Sequence, residues 1–222
     1  MKPLAAAIIS LLIPVVAQAS LARAATFDEK VENASAIILG KCTNQRAEWD
    51  SSHRWILTYS TFKIEKAMKG TMQPEVTVVT PGGAVGGIHQ DTIGMPSFRE
   101  GNDNVLFIRN TAAGPTVLYF EQGAYDVVRD AKGNRIVQPV SSDSVHIDTQ
   151  RGIAVGPESA RPLQQFEGEV NASMRHALNR MGIVRPTPAK PQTISEMLRR
   201  NKLLVMLAMF GLFLSAGQLF RR

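Results

Sequence analysis

The sequence predicts a mainly β domain with one packed C-terminal helix, framed by a hydrophobic segment at each end of the chain. Three observations carry this. Short apolar or alternating runs recur through the middle with turn residues between them, the pattern of a small barrel or a sandwich. No helical stretch separates successive runs, as a parallel α/β sheet would require. The two ends are apolar runs without charge, flanked by basic residues and unlike the domain between them.

Taken in order, residues 1–24 read as a secretory signal peptide. Lys2 supplies the positive start, Leu4 to Ala17 the apolar stretch, and Ala22 and Ala24 the A-x-A cleavage pattern. Ala17 and Ala19 form a second such pattern, so the mature chain begins at Ser20 or at Ala25. Pro14 and the short run set this segment apart from an uncleaved membrane anchor. Residues 26–34 open on Thr26 with Glu29 three positions later, a capping box that predicts a short helix.

Strands are expected over residues 35–42, 55–67, 75–80, 104–110, 116–120, 124–129 and 135–139. Residues 68–71 form a turn, and 130–134 a hairpin loop joining the last two strands. Residues 141–156 are polar and read as irregular. Residues 161–180 place Leu163, Phe166, Val170, Met174 and Leu178 at helical spacing, so this helix packs on the sheet. The domain spans 25–183, and a Pro-rich basic linker follows over 184–200. Residues 203–220 form an 18-residue run without charge, just enough to cross a bilayer core of about 30 Å at about 1.5 Å per residue. Basic residues flank both of its ends; export of the domain sets the orientation, with the terminal Arg221 and Arg222 in the cytoplasm.

The net charge of +6 suggests a nucleic-acid partner until it is divided by region. Residues 25–184 hold 16 Lys and Arg against 18 Asp and Glu, so the domain is slightly acidic. The excess basicity lies in the ends, and nucleic acid is excluded as the domain's partner. Cys42 is the single cysteine, which excludes an internal disulfide and a zinc-type cysteine pattern and reads as a small buried hydrophobe.

The most unusual stretch begins at Pro81-Gly82-Gly83. A P-loop needs Gly-Lys-Ser/Thr at its end, and here Gly87 is followed by Ile88 and His89. A dinucleotide fingerprint must open a helix, and these glycines lead to Gly94 and Pro96 instead. The remaining role is backbone freedom in a long connection from Pro81 to Asn104, which makes it a candidate binding loop: Gly82, Gly83, Gly86, Gly87, His89, Asp91, Met95, Pro96 and Phe98. His53, His89, His146 and His176 lack metal-ligand spacing; His89 with Asp91, and His146 with Asp143 and Asp148, are the sets that could meet in space. No G-x-S-x-G motif is present. No catalytic residue, metal ligand or cofactor is assigned. Trp55 is expected in the core, and Trp49, in a polar stretch, is the candidate for an exposed partner anchor.

Residues 36–42 (AIILGKC), 59–70 (YSTFKIEKAMKG), 76–80 (VTVVT) and 98–108 (FREGNDNVLFI) follow the order of strands in netrin-like domains. This part of the chain, roughly 34–130, resembles the barrel of the tissue inhibitors of metalloproteinases, and Gly82 to Gly101 is similar to a pattern found in exported bacterial proteins. The resemblance implies an OB-fold, a five-stranded Greek-key barrel with a ligand-binding face. The inhibitors chelate the protease zinc through an amino-terminal cysteine, which neither possible mature terminus here possesses. The expectation is a non-catalytic binding module with a protein partner. It would be held at the inner membrane by the C-terminal helix, with its domain on the periplasmic side. The alternatives are an accessory or inhibitor-like partner of a secreted metalloprotease, or an envelope enzyme with an unrecognised site. A third possibility concerns the tail, whose apolar run ending in Arg221-Arg222 resembles a bacterial sorting signal.

Overall fold

A computed structural model describes residues 21–70, 73–140 and 144–182. The expected linker over 184–200 and membrane span over 203–220 lie outside the described residues, as does the expected signal peptide up to residue 20. No helix among the described residues is long and apolar enough to cross a membrane. The described residues up to Ala177 belong to one compact unit; of the second, from Leu178 onward, only the last turn of a helix and the Gly182 turn are described.

The elements run β1 (Leu21–Arg23), α1 (Phe27–Asn33), β2 (Ala36–Trp49), β3 (Ile56–Lys69), β4 (Glu75–Pro81), β5 (Gly83–Val85), β6 (Ile88–Gln90), β7 (Asp103–Thr111) and β8 (Gly114–Val117). A 3-10 turn (Phe120–Gly123), β9 (Ala124–Arg129), β10 (Arg135–Pro139), β11 (Val145–Asp148), β12 (Ile153–Val155), β13 (Arg161–Pro162) and α2 (Leu163–Arg180) complete the chain. The main sheet has the order β13-β10-β9-β7-β2-β3-β4, with β8 also paired to β7. Three-stranded β1-β11-β12 and two-stranded β5-β6 sheets stand beside it. The molecule is therefore mainly β with a packed helix, as expected. Its sheet is not closed: β4 and β8 approach, with Thr116 Oγ1 donating to Val79 O at 2.8 Å, without a backbone ladder between them among the described residues.

Strands β2 and β7 are apolar on both faces because both faces are covered. Ile37, Leu39, Val105 and Phe107 enter one core with Val31 of α1 and Leu163, Phe166 and Val170 of α2. Ile38, Cys42, Leu106 and Ile108 enter the other, inside the curl of the sheet, with Phe62, Val78 and Phe98. Cys42 is a free buried thiol, and its pKa is raised by burial and by the nearby Glu100 charge. Helix α1 carries the expected capping box: Thr26 Oγ1 accepts from Glu29 N and the Glu29 carboxylate accepts from Thr26 N. The buried face of α2 is Leu163, Phe166, Val170, Ser173 and Ala177, with Met174 packed at its edge. Leu178 is exposed, because the buried stripe keeps nearly a 3.5-residue spacing and passes through Ala177.

Four expectations are corrected. Trp55 is 50% exposed, because it precedes β3 and has the parity of Leu57 and Tyr59, while Ile56, Ser60 and Phe62 face inward. Strands β2 and β3 are each 14 residues and pair along nearly their whole length, so β2 runs well beyond Cys42 and the expected 68–71 turn begins only after Lys69. Within the expected 116–120 strand, β8 stops at Val117, and Tyr119 and Phe120 take left-handed backbone into the 3-10 turn. The polar stretch 141–156 contains β11 and β12, whose alternation is too short to stand out in the sequence. Residues 21–23, between the two possible mature starts, form β1 parallel to β11.

Candidate functional site

The stretch 82–98 divides into two parts with opposite surroundings. Its first part is the β5-β6 hairpin, with Gly86 and Gly87 at φ of 58° and 82°, the doubly left-handed turn that suits a two-residue hairpin connection. The hairpin is fastened to the tip of β2 and β3: Gly82 N donates to Ile56 O at 2.8 Å, Ile56 N to Gln90 Oε1 at 2.7 Å, and Thr58 Oγ1 to Gly82 O at 2.6 Å. A Cβ on Gly83 would lie 2.4 Å from Thr58 Oγ1, so only glycine fits there. His89 and Asp91 do meet, Nε2 to Oδ1 at 2.7 Å, with 64% and 85% of their side chains in solvent.

The second part turns inward. Met95 is half-buried, Pro96 is buried, and Phe98 packs edge-on to Phe62 with ring centroids 5.1 Å apart. Cys42 and the following turn then exchange two backbone bonds, Gly101 N to Cys42 O and Cys42 N to Asn102 O. Within the expected binding loop, then, Pro96 and Phe98 are buried in its stem and Gly83 is a close packing contact, while His89 and Asp91 stand in solvent.

A cleft of about 710 Å³ lies elsewhere, between the β1-β11-β12 sheet and the body of the main sheet. Cross-strand register in β9 and β10 sets Asp126 opposite Gln138 and Tyr125 opposite Pro139 on its body side. His146 of β11 and Val155 of β12, which are register partners, form the facing wall with Ala24 and Ala25. One end is closed by Lys30, whose ammonium donates to Gln122 O, Tyr125 Oη and Glu158 Oε1. Arg161 adds a bond to Glu158 Oε2 at 3.0 Å and lies over the Phe166 ring. Glu121, on the 3-10 turn, accepts from or donates to His146 Nε2 at 3.0 Å, with both side chains largely buried. Backbone also joins this turn to the Gly-rich stretch, Glu121 N to Gly94 O at 2.9 Å.

Burial lowers the Lys30 pKa, and the Glu158 charge offsets only part of that. At Glu158 burial pushes upward, but the Lys30 charge and hydrogen bond, with Arg161, outweigh it and hold the carboxyl below its ordinary value. Tyr125 is raised well above the usual phenol value, first by burial and then by Glu158. Asp126 is also raised by burial, against the hydrogen bond that Asn104 Nδ2 donates to it at 2.9 Å. Lys30 Nζ is engaged with three acceptors, so in this arrangement it holds the wall of the cleft together. The cleft offers amide, carboxylate and imidazole groups beside apolar Val140, Val145 and Val155, a surface suited to hydrogen-bonded recognition.

Sequence reasoning missed the cleft's principal residues. Lys30 was legible in part, since Phe27, Lys30, Val31 and Ala34 share one face of α1 by their spacing. Glu121 and His146 are 25 residues apart and carry no local signal. Of the expected set around His146, the imidazole meets Glu121 and Asp148 caps the turn after β11, while Asp143 lies outside the described residues. No group of three His, Cys, Asp or Glu close enough for a metal occurs among the described residues. Trp49 is half-buried and stacks on His53 at 6.4 Å. Comparison of the chain with protein-family models, curated proteins and solved structures finds no match.

Proposed function

We propose that this chain is an exported, non-catalytic binding module, tethered to the inner membrane by residues 203–220, that receives a segment of a protein partner in the cleft beside β11 and β12. The observation that carries this reading is the cleft itself: a recess of about 710 Å³ whose strongest charges neutralise one another while amide and apolar groups line the rest. Such a wall recognises extended polypeptide by hydrogen bonds and shallow apolar contacts. In the same reading β2, β3, β4, β8 and β7 are the five strands of an OB-like barrel left open between β4 and β8. Netrin-like ancestry would account for this order, but fold likeness alone assigns no protease inhibition.

The test is recovery of cross-linked partners with the full-length protein from detergent-solubilised membranes. Gln138→Ala and His146→Ala should abolish recovery, while His89→Ala and Asp91→Ala on the hairpin should leave it intact. Loss with the hairpin variants and retention with the cleft variants would overturn the assignment.

A further inference from the structure

Two A-x-A patterns, ending at Ala19 and at Ala24, leave the mature start at Ser20 or Ala25 from sequence alone. The fold distinguishes them, because it uses the residues between the two positions. Leu21, Ala22 and Arg23 form β1 in parallel register with Val145, His146 and Ile147. Ala24 N continues the ladder by donating to Ile147 O at 2.8 Å. Gln122 clamps the segment from the other side, accepting from Ala25 N at 2.8 Å and donating to Arg23 O at 3.1 Å. The Arg23 guanidinium pairs with Glu29 at 3.0 Å, the residue that caps α1, and lies 6.0 Å from the Tyr119 ring centroid. Ala24 itself lines the cleft.

From these contacts we infer that signal peptidase cuts between Ala19 and Ser20, so that β1 is the first strand of the mature protein. Water hydrolyses that amide, leaving a carboxylate on Ala19 and an ammonium on Ser20. A cut after Ala24 would remove β1 with its register partners, the Arg23 to Glu29 pair and one bond of the Gln122 clamp. It would also strip one flank from β11 and open the cleft wall that carries His146. A cut after Ala19 removes none of these. The retained strand makes the mature terminus part of the binding wall, which rests on the reading of the chain as exported and cleaved.

Terminal-peptide mass spectrometry of the full-length chain recovered from the cell envelope tests the inference. The expected first residue is Ser20. A first residue of Ala25 overturns the inference while leaving export intact; an uncleaved Met1 start overturns both. Ala19→Phe should block production of the Ser20 terminus and accumulate precursor, whereas Ala24→Phe should leave it unchanged. This readout does not depend on folding of the variant, and the reverse pattern, with Ala24→Phe blocking maturation, sinks the proposal.

Discussion

The β5-β6 hairpin and the cleft each hold a close imidazole–carboxylate pair, and the two pairs differ in what surrounds them. His89 and Asp91 meet at 2.7 Å with most of both side chains in water. His146 and Glu121 meet at 3.0 Å with 16% and 5% exposed. The first pair is two residues apart and obvious in sequence; the second depends on strand β11 crossing to the 3-10 turn. An exposed pair is screened and contributes little, whereas a buried pair is tied to the packing around it. Motif visibility and energetic weight therefore run in opposite directions here.

Substitutions can break or sharpen that contrast, beginning with the largest effect. Phe98→Ala, in the buried stem of the Gly-rich stretch, should destabilise by about 3–5 kcal/mol, measured by denaturant unfolding, because it leaves a void against Phe62. A near-neutral result would show that the stem is not part of the core. Lys30→Met should cost about 2–3 kcal/mol: it removes the donor to Gln122 O, Tyr125 Oη and Glu158 Oε1, although Arg161 still compensates the carboxylate. An unchanged unfolding midpoint would place the weight of the cleft wall elsewhere.

Gly83→Val should cost roughly 1–3 kcal/mol through its φ of 133° and the Thr58 contact, with loss of amide-exchange protection confined to β5 and β6. Uniform loss across the main sheet would mean that the hairpin is integral to the body. Acidification provides a smaller, signed effect. Glu158 is held below its ordinary value of 4.5 in the folded state, so the unfolded chain takes up its proton first. Its contribution is complete above the unfolded value and is lost as pH falls through the folded one. Between about pH 6 and about pH 3, Glu158→Gln should flatten the fall in thermal midpoint relative to the parent. An identical pH profile would exclude Glu158 as a contributor. Last, His89→Ala should change stability by less than about 0.5 kcal/mol, and a larger loss would overturn the account of the hairpin pair as solvated.

Local pattern was sufficient wherever one short stretch carries its own constraint. The Thr26 and Glu29 capping box, the β9-β10 hairpin around Asp130 to Asn134, and the doubly buried apolar runs of β2 and β7 were all readable, because turn chemistry, capping and side-chain period act within a few residues. The absence of helices between strands likewise fixed the class as mainly β. Trp55 was misread because size and hydrophobicity alone do not say which parity of a strand faces inward; that is decided by the partners of Ile56 and Phe62. The same holds for β1, β11 and β12, segments of three or four residues whose strand state exists only through pairing, β1 with β11 across more than a hundred positions and β11 with β12 in a short hairpin. The cleft is the fullest case. Lys30, Glu121, Tyr125, His146 and Glu158 acquire their burial and their partners from distant chain segments brought together, and Lys30, Tyr125 and Glu158 their shifted acidities as well, properties that no local window contains.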